Sequence, residues 1–202
     1  MKLYFSPGAC SLSPHIVLLE AGLPFTTEKV NIRKKLTAGG ADYTAINPKG
    51  YVPALELDDG SVLTEGPAIV QYIADQAPDK QLVPAAGSAE HYQVLEWLNY
   101  IGTEIHKNYG PLFNPASPED AKTAARAMLA RRFAFVAERL ATRDYLVGGG
   151  FSVADAYLFT VTNWAAVVQL DLSAFPALQA YQARIAARPA VQQAMRDEGL
   201  LG

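Results

Sequence analysis

The chain has 202 residues, half of them hydrophobic and 18% charged, with a formal net charge of −3 and one cysteine. That is enough for one large domain or two small ones, and it describes a compact globule rather than a disordered chain. It excludes an intramolecular disulfide, and with no basic run longer than Arg33-Lys34-Lys35 it offers no face for nucleic acid. The opening MKLYFSPGAC lacks the apolar stretch of a secretory signal, and no apolar run approaches the ~18 residues of a membrane span. A soluble protein of a reducing cytoplasm, without a membrane or nucleic-acid partner, is the expectation.

Lys2 to Phe5 reads as a short strand broken by Ser6-Pro7-Gly8. A helix follows over about Leu12 to Ala21, with Ser11 or Ser13 as cap, Pro14 in the first turn and Gly22 as its stop. Phe25 to Asn31 reads as a second strand. Residues 32–50 are mixed and loop-like, ending in Asn47-Pro48-Lys49-Gly50. Ala54–Leu57 and Ser61–Thr64 flank Asp58-Asp59-Gly60 as a hairpin would, and Gly66 to Asp75 follows as a helix. Gln76 to Gly87 reads as a linker. The rest is helical: Ala89–Tyr109, Pro118–Thr142, Ser152–Gln169, Phe175–Ala187 and Pro189–Glu198. Ser152-Val153-Ala154-Asp155 has capping-box spacing. Strands followed by a run of helices indicate two unlike domains.

Cys10 stands within a turn of the first helix's start, where unpaired N–H groups and the helix dipole favour a thiolate. An ordinary thiol is only about 3% ionised at pH 7, and lowering its pKa by ~2 units requires ~2.7 kcal/mol of differential stabilisation. The competing reading is a small buried hydrophobe. Val52-Pro53 opens a strand, where a proline cannot donate to the ladder. A cis bond there would turn the Val52 backbone toward a peptide ligand; from the sequence alone an ordinary trans bond is the expectation, since only ~5% of such bonds are cis.

Glu65-Gly66 sits where a helix begins. The Gly66 N–H can bind a carboxylate and Glu65 an ammonium, or Glu65 merely complements the dipole. Asn99, Thr103 and His106 fall at i, i+4 and i+7 of one long helix, with Leu98, Ile101 and Ile105 roughly 130° away at 3.6 residues per turn. Such a polar stripe is usually a solvated face, as Lys35 and Lys107 are usually solvated charges. His15 and His91 receive no role. Cys10 and the histidines show no metal-ligand spacing, so no metal is implied.

Taken together, MKLYFSPGACSLSPHIVLLEAGLPF, NPKGYVPAL, LTEGPAIVQYIAD and EWLNYIGTEIHKNYGPLF resemble the bacterial beta-class glutathione transferases, and FSVADAY extends the likeness into the second half. The resemblance implies an α/β thioredoxin-like N-terminal domain over residues 1–80 and an all-α C-terminal domain over 88–202 that contributes the electrophile site. It implies that Val52 and a cis Pro53 pair with the cysteinyl part of glutathione. Glu65 and Gly66 would hold its γ-glutamyl end, and Lys35 its glycine carboxylate. Cys10 would face the glutathione sulfur, with Ser11, His106 and Lys107 lining the same site. Asn99 and Thr103 are looser carry-overs that serve this site or a neighbouring subunit's. Many members have Ser where this chain has Gly66, so one hydroxyl contact is missing. Classes that use an N-terminal Tyr find no counterpart, because Phe5 has no hydroxyl and Tyr4 should point to the opposite face of its strand.

The implied activity is conjugation of the glutathione thiolate to a hydrophobic electrophile, in a homodimer, with glutathione as co-substrate and no tightly bound cofactor. Cys10, His106 and Ser11 are the catalytic candidates, and either Cys10 or Ser11 would activate glutathione. Phe113, Tyr109 and Trp164 are aromatic candidates for the electrophile site. Two alternatives stand: thiol–disulfide or dehalogenase chemistry through Cys10, and a transferase-like binding module without turnover.

Overall fold

The computed structural model describes residues 1–201. It divides into two compact units, Met1–Val83 together with the chain from Ala187 onward, and Pro84–Ala186. The expected all-helical domain over 88–202 is therefore too long by its last helix, which belongs with the first unit.

The first unit is built on a five-stranded sheet. In chain order it contains β1 (Lys2–Phe5), α1 (Leu12–Ala21), β2 (Thr26–Asn31), β3 (Leu36–Thr37), α2 (Tyr43–Ile46), β4 (Ala54–Glu56), β5 (Val62–Thr64) and α3 (Gly66–Asp75). The strand order is β3-β2-β1-β4-β5; β1 and β2 are parallel and the other pairs antiparallel. Residues 32–50, expected as loop, thus contribute a two-residue strand and one helical turn. That turn forms because the Asp42 carboxylate accepts the Thr44 N–H at 2.8 Å and its hydroxyl at 2.7 Å.

Alternation along β1 distributes its side chains between the sheet's faces. Tyr4 packs in a cluster with Val30, Tyr43, Val52 and Ala54. Phe5 lies on the α1 side, its ring 6.0 Å from that of His15. The α1 helix is buried from Leu12 to Leu18 and packs against α3 and the late helix α9 (Pro189–Asp197). It stops at Gly22, which takes the left-handed conformation at φ 68°.

The second unit holds α4 (Ala89–Tyr100), α5 (Gly110–Phe113), α6 (Glu119–Leu140), α7 (Val153–Val167) and α8 (Pro176–Ala186). Helix α7 is apolar around nearly its whole circumference and is buried from Val153 to Thr162. Its start is fixed by the expected capping box: Asp155 accepts from the Ser152 N–H at 2.9 Å and the Ser152 hydroxyl at 2.8 Å. The same carboxylate also takes the Leu146 N–H and the Tyr181 hydroxyl, both at 3.0 Å, so a buried acid is fully occupied.

The single helix expected over Ala89–Tyr109 is not one helix. After α4 the backbone widens into a π turn over Ile101–Ile105, then tightens into a 3₁₀ turn over His106–Tyr109. Gly102 weakens the α-helix from within, and Thr103 Oγ1 bonds back to the Asn99 carbonyl at 3.0 Å. Pro111 cannot tolerate an α-helical carbonyl four residues back. The contrast of faces expected at 3.6 residues per turn nevertheless survives the change of pitch: Leu98, Ile101 and Ile105 are buried, Asn99 and Thr103 exposed and His106 half-buried. No helix of the described residues is long and apolar enough to cross a membrane.

Candidate functional site

Five consecutive residues, Lys49 to Pro53, run along the first unit and touch each of its sequence-predicted site residues in turn except Ser11. Lys49 Nζ donates to Glu65 Oε1 at 2.6 Å and to Thr64 Oγ1 at 3.0 Å. The Gly50 carbonyl accepts from Lys35 Nζ at 2.5 Å. The Tyr51 hydroxyl donates to Glu65 Oε1 at 2.7 Å. The Val52 carbonyl accepts the Cys10 thiol at 3.1 Å. Pro53 lies beside Gly66, where an added Cβ would meet Pro53 Cγ at an ordinary 3.9 Å.

This segment is itself anchored. The Tyr51 carbonyl accepts from Asn47 Nδ2 at 2.7 Å and from the Tyr43 hydroxyl at 3.1 Å. Burial pushes the Tyr43 hydroxyl up to about 12, so it remains a donor throughout the neutral range. The Val52–Pro53 bond is cis, which departs from the trans bond that sequence statistics alone favour.

Cys10 is half-buried at the entrance to α1. Its bond to Val52 requires the protonated thiol as donor, since a thiolate has no hydrogen to give. Ser11, the first residue of the α1 cap, is fully buried. Its hydroxyl accepts the Ser6 N–H at 3.1 Å and donates to the Ser6 carbonyl at 3.2 Å. It closes the turn between β1 and α1, and this occupation removes it from the catalytic candidates. Tyr4 is likewise committed elsewhere, donating to Glu56 Oε2 at 2.6 Å.

Glu65 and Lys35 share an uncommon backbone state, with φ of 70° and 57°. Glu65 caps α3 in that conformation and presents its carboxylate, 53% exposed, beside the helix start where Gly66 offers its N–H. Lys49 is held above its ordinary range first by its bond to Glu65, and the Tyr51 hydroxyl is raised first by its own bond to the same carboxylate. Lys49 and Tyr51 were missed as individuals by sequence reasoning. They lie inside the NPKGYVPAL motif, but nothing in the string shows that both reach Glu65.

In the second unit His106 is half-buried at the junction of the π and 3₁₀ turns. Its Nδ1 lies 2.6 Å from the Tyr157 hydroxyl, and its ring meets Trp164 edge-on at 4.7 Å. Tyr109 and Phe113 stack at 5.8 Å and both meet the Trp164 ring. Burial raises the Tyr109 hydroxyl well above its usual range. Of the three aromatic candidates Tyr109 and Trp164 are buried, and only Phe113, 46% exposed, presents a ring face to solvent. Asn99, Thr103 and Lys107 are exposed. The Asn99 and Thr103 side chains bond to carbonyls of their own helical run. Among the described residues no His, Cys, Asp and Glu side chains cluster as metal ligands.

Two family models match the chain: glutathione S-transferase N-terminal domain over residues 8–76 and glutathione S-transferase C-terminal domain over residues 100–189. The chain is similar to glutathione S-transferase GstA of Escherichia coli O157:H7, 50% identical over 99% of this chain and 100% of that protein. Among solved structures, it resembles a sphingomonad glutathione S-transferase complexed with glutathione, with 49% identity, a TM-score of 0.96 and complete coverage of both chains. A bacterial beta-class glutathione S-transferase of Sphingomonas chungbukensis gives 46% identity, a TM-score of 0.97 and complete coverage of both chains.

Proposed function

The chain belongs to the glutathione S-transferase family, as a bacterial beta-class glutathione transferase, and from that membership we propose that glutathione binds along Lys49–Pro53 with its thiol beside Cys10. The observation that carries this reading is the 3.1 Å bond from Cys10 Sγ to the Val52 carbonyl. It puts the only thiol of the chain on the backbone group that an extended peptide would use for added-strand pairing. The γ-glutamyl ammonium goes to Glu65, its carboxylate to the Gly66 N–H at the start of α3, and the glycine carboxylate to Lys35. The sphingomonad relative is known in complex with glutathione, which supports the same ligand here.

Family membership is the ground for keeping His106 and Lys107 as proposed polar and positive groups and Phe113 as a proposed apolar contact for a hydrophobic electrophile. The chemistry is attack of the glutathione thiolate on an electrophilic carbon, forming a thioether as the leaving group departs. The protein's part is to hold the thiolate and the electrophile in register. Asn99 and Thr103 remain looser assignments. A two-fold homodimer is part of the proposal; sedimentation near twice the 21.8 kDa chain mass is expected, and a catalytically active monomer would overturn it.

Calorimetric titration of glutathione into the protein and its Glu65→Ala variant tests the ligand pose. Loss of a charge-assisted contact at a partly exposed site should weaken binding by roughly tenfold or more. Equal affinities would remove Glu65 from the site.

A further inference from the structure

We propose that Lys49 is a stand-in cation for glutathione, occupying the ammonium subsite on Glu65 until the ligand displaces it. This rests on the reading of Glu65 as the acceptor of the γ-glutamyl ammonium. Both bonds that Lys49 Nζ and the Tyr51 hydroxyl make to this carboxylate fall on one oxygen, Oε1, at 2.6 and 2.7 Å. An incoming ammonium would seek the same concentration of negative charge. Lys49 Nζ also holds Thr64 Oγ1 at 3.0 Å, so the cation is clamped across β5 and the start of α3 rather than extended into water.

The two partners differ in how readily they can leave. Tyr51 is fixed through its carbonyl by Asn47 and Tyr43, and its hydroxyl brings no charge. Lys49 hangs on a flexible four-carbon stem, with 45% of its side chain exposed against 53% for Glu65. An ion pair this exposed is weak and screened by salt, so it can be exchanged for a ligand cation without a large penalty. Glu65 itself does not need to move, because the left-handed backbone at φ 70° already directs it from the cap of α3. The cap therefore lowers affinity selectively for ligands that carry an ammonium at this end.

The test compares two ligands on four proteins. One ligand is glutathione. The other is glutaryl-cysteinyl-glycinamide, which keeps the thiol and the carboxylate of the γ-glutamyl end, has no ammonium to exchange, and carries the same net charge of about −1 as glutathione. Loss of a lysine changes long-range attraction alike for two ligands of equal net charge, so the change in the ratio of their dissociation constants isolates the exchange. In Lys49→Met the preference for glutathione over the analogue should rise by about two- to fivefold at low salt, and the gain should shrink as salt is added. Lys49→Arg, which keeps a cation within reach of Glu65, should return the preference toward that of the unmodified protein.

Glu65→Gln separates the proposal from the reading beneath it. If that variant loses the preference for glutathione while Lys49→Met leaves it unchanged or lowers it, Glu65 is the ammonium acceptor and Lys49 is no stand-in. If Glu65→Gln retains the preference, the acceptor lies elsewhere and both fail.

Discussion

Cys10 occupies a position at which two local effects oppose each other. It precedes the first turn of α1, where N–H groups and the dipole favour negative charge. Its hydrogen bond to Val52, however, exists only for the protonated thiol. The chemistry open to it is thiol–disulfide exchange with oxidised glutathione. The Cys10 sulfur attacks, a Cys10–glutathione disulfide forms, the ligand's own disulfide breaks, and one glutathione thiolate leaves, taking up the proton. Peptide contacts at Val52, Glu65 and Gly66 should favour this adduct over one with a small free disulfide. Intact-mass measurement after incubation with oxidised glutathione should show one added glutathionyl group, absent in Cys10→Ala. If the Cys10→Ala variant still conjugates and the unmodified protein forms no adduct, Cys10 has no part in the chemistry. Ser11 does not inherit the role, since its hydroxyl is buried and bonded twice to Ser6.

At the scale of single elements, what was legible depended on whether the signal was local. The limits of α1 and α3 follow from Gly22, and from Gly66-Pro67 at the helix start, and the alternation that turns Tyr4 away from Phe5 is a property of any strand. The α7 cap was visible as Ser152 and Asp155 three apart. The π turn was not, because apolar residues such as Ile101 and Ile105 satisfy the α-helical pattern as well, and the choice was made by Gly102, a back-bonded Thr103 and a proline beyond. The cis bond at Pro53 was legible only through family likeness.

One element carries a pH dependence whose sign can be worked out. Across β1 and β4 the Tyr4 hydroxyl donates to Glu56 at 2.6 Å, with Lys2 Nζ 3.4 Å away. The Tyr4 bond is the main cause that holds the Glu56 carboxyl below its usual range. Its stabilisation is therefore complete above the free carboxylate value of about 4.3 and is lost as the pH falls through the lower folded value. At the alkaline end the Lys2 ammonium is raised chiefly by Tyr4, and the Tyr4 hydroxyl chiefly by burial. Those contributions hold below about pH 10 and fade above it. Tyr4→Phe should cost about 1 kcal/mol in urea unfolding near neutrality. The gap from the unmodified protein should narrow as the pH falls through the lowered folded value of Glu56; a constant gap would mean that the Tyr4 hydroxyl stabilises independently of the Glu56 charge.

At the scale of the whole chain, the feature sequence reading misplaced is the return of the C-terminal helix to the first unit. The helical pattern of Pro189–Glu198 says that it is a helix but not what it packs on. The determinants lie far apart: Arg188 grips Glu20 through Nε at 2.6 Å and a second nitrogen at 2.9 Å, across 168 residues. Glu198 is the more consequential contact. Its fully buried side chain places Oε1 3.0 Å from His15 Nδ1 on α1, while Oε2 accepts the Gly8 N–H at 2.9 Å. Gly8, at φ 69°, lies in the turn that carries Cys10. One carboxylate thus ties the end of the chain to both the first helix and that turn, and it gives His15 the partner for which the sequence offered no evidence.

Glu198→Ala removes both bonds and leaves His15, 1% exposed, without its closest acceptor. A loss of about 2–4 kcal/mol is expected, which for a protein of this size lowers the thermal midpoint by roughly 4–16 °C. Glu198→Gln keeps one acceptor and one donor in the same place and should cost less, which separates hydrogen bonding from charge. Because the Gly8 bond also restrains the turn before Cys10, Glu198→Ala should slow adduct formation at temperatures where the variant is still folded. An unchanged midpoint in Glu198→Ala would mean that α9 is held on α1 by its apolar face, Val191 and Ala194, and not by this carboxylate.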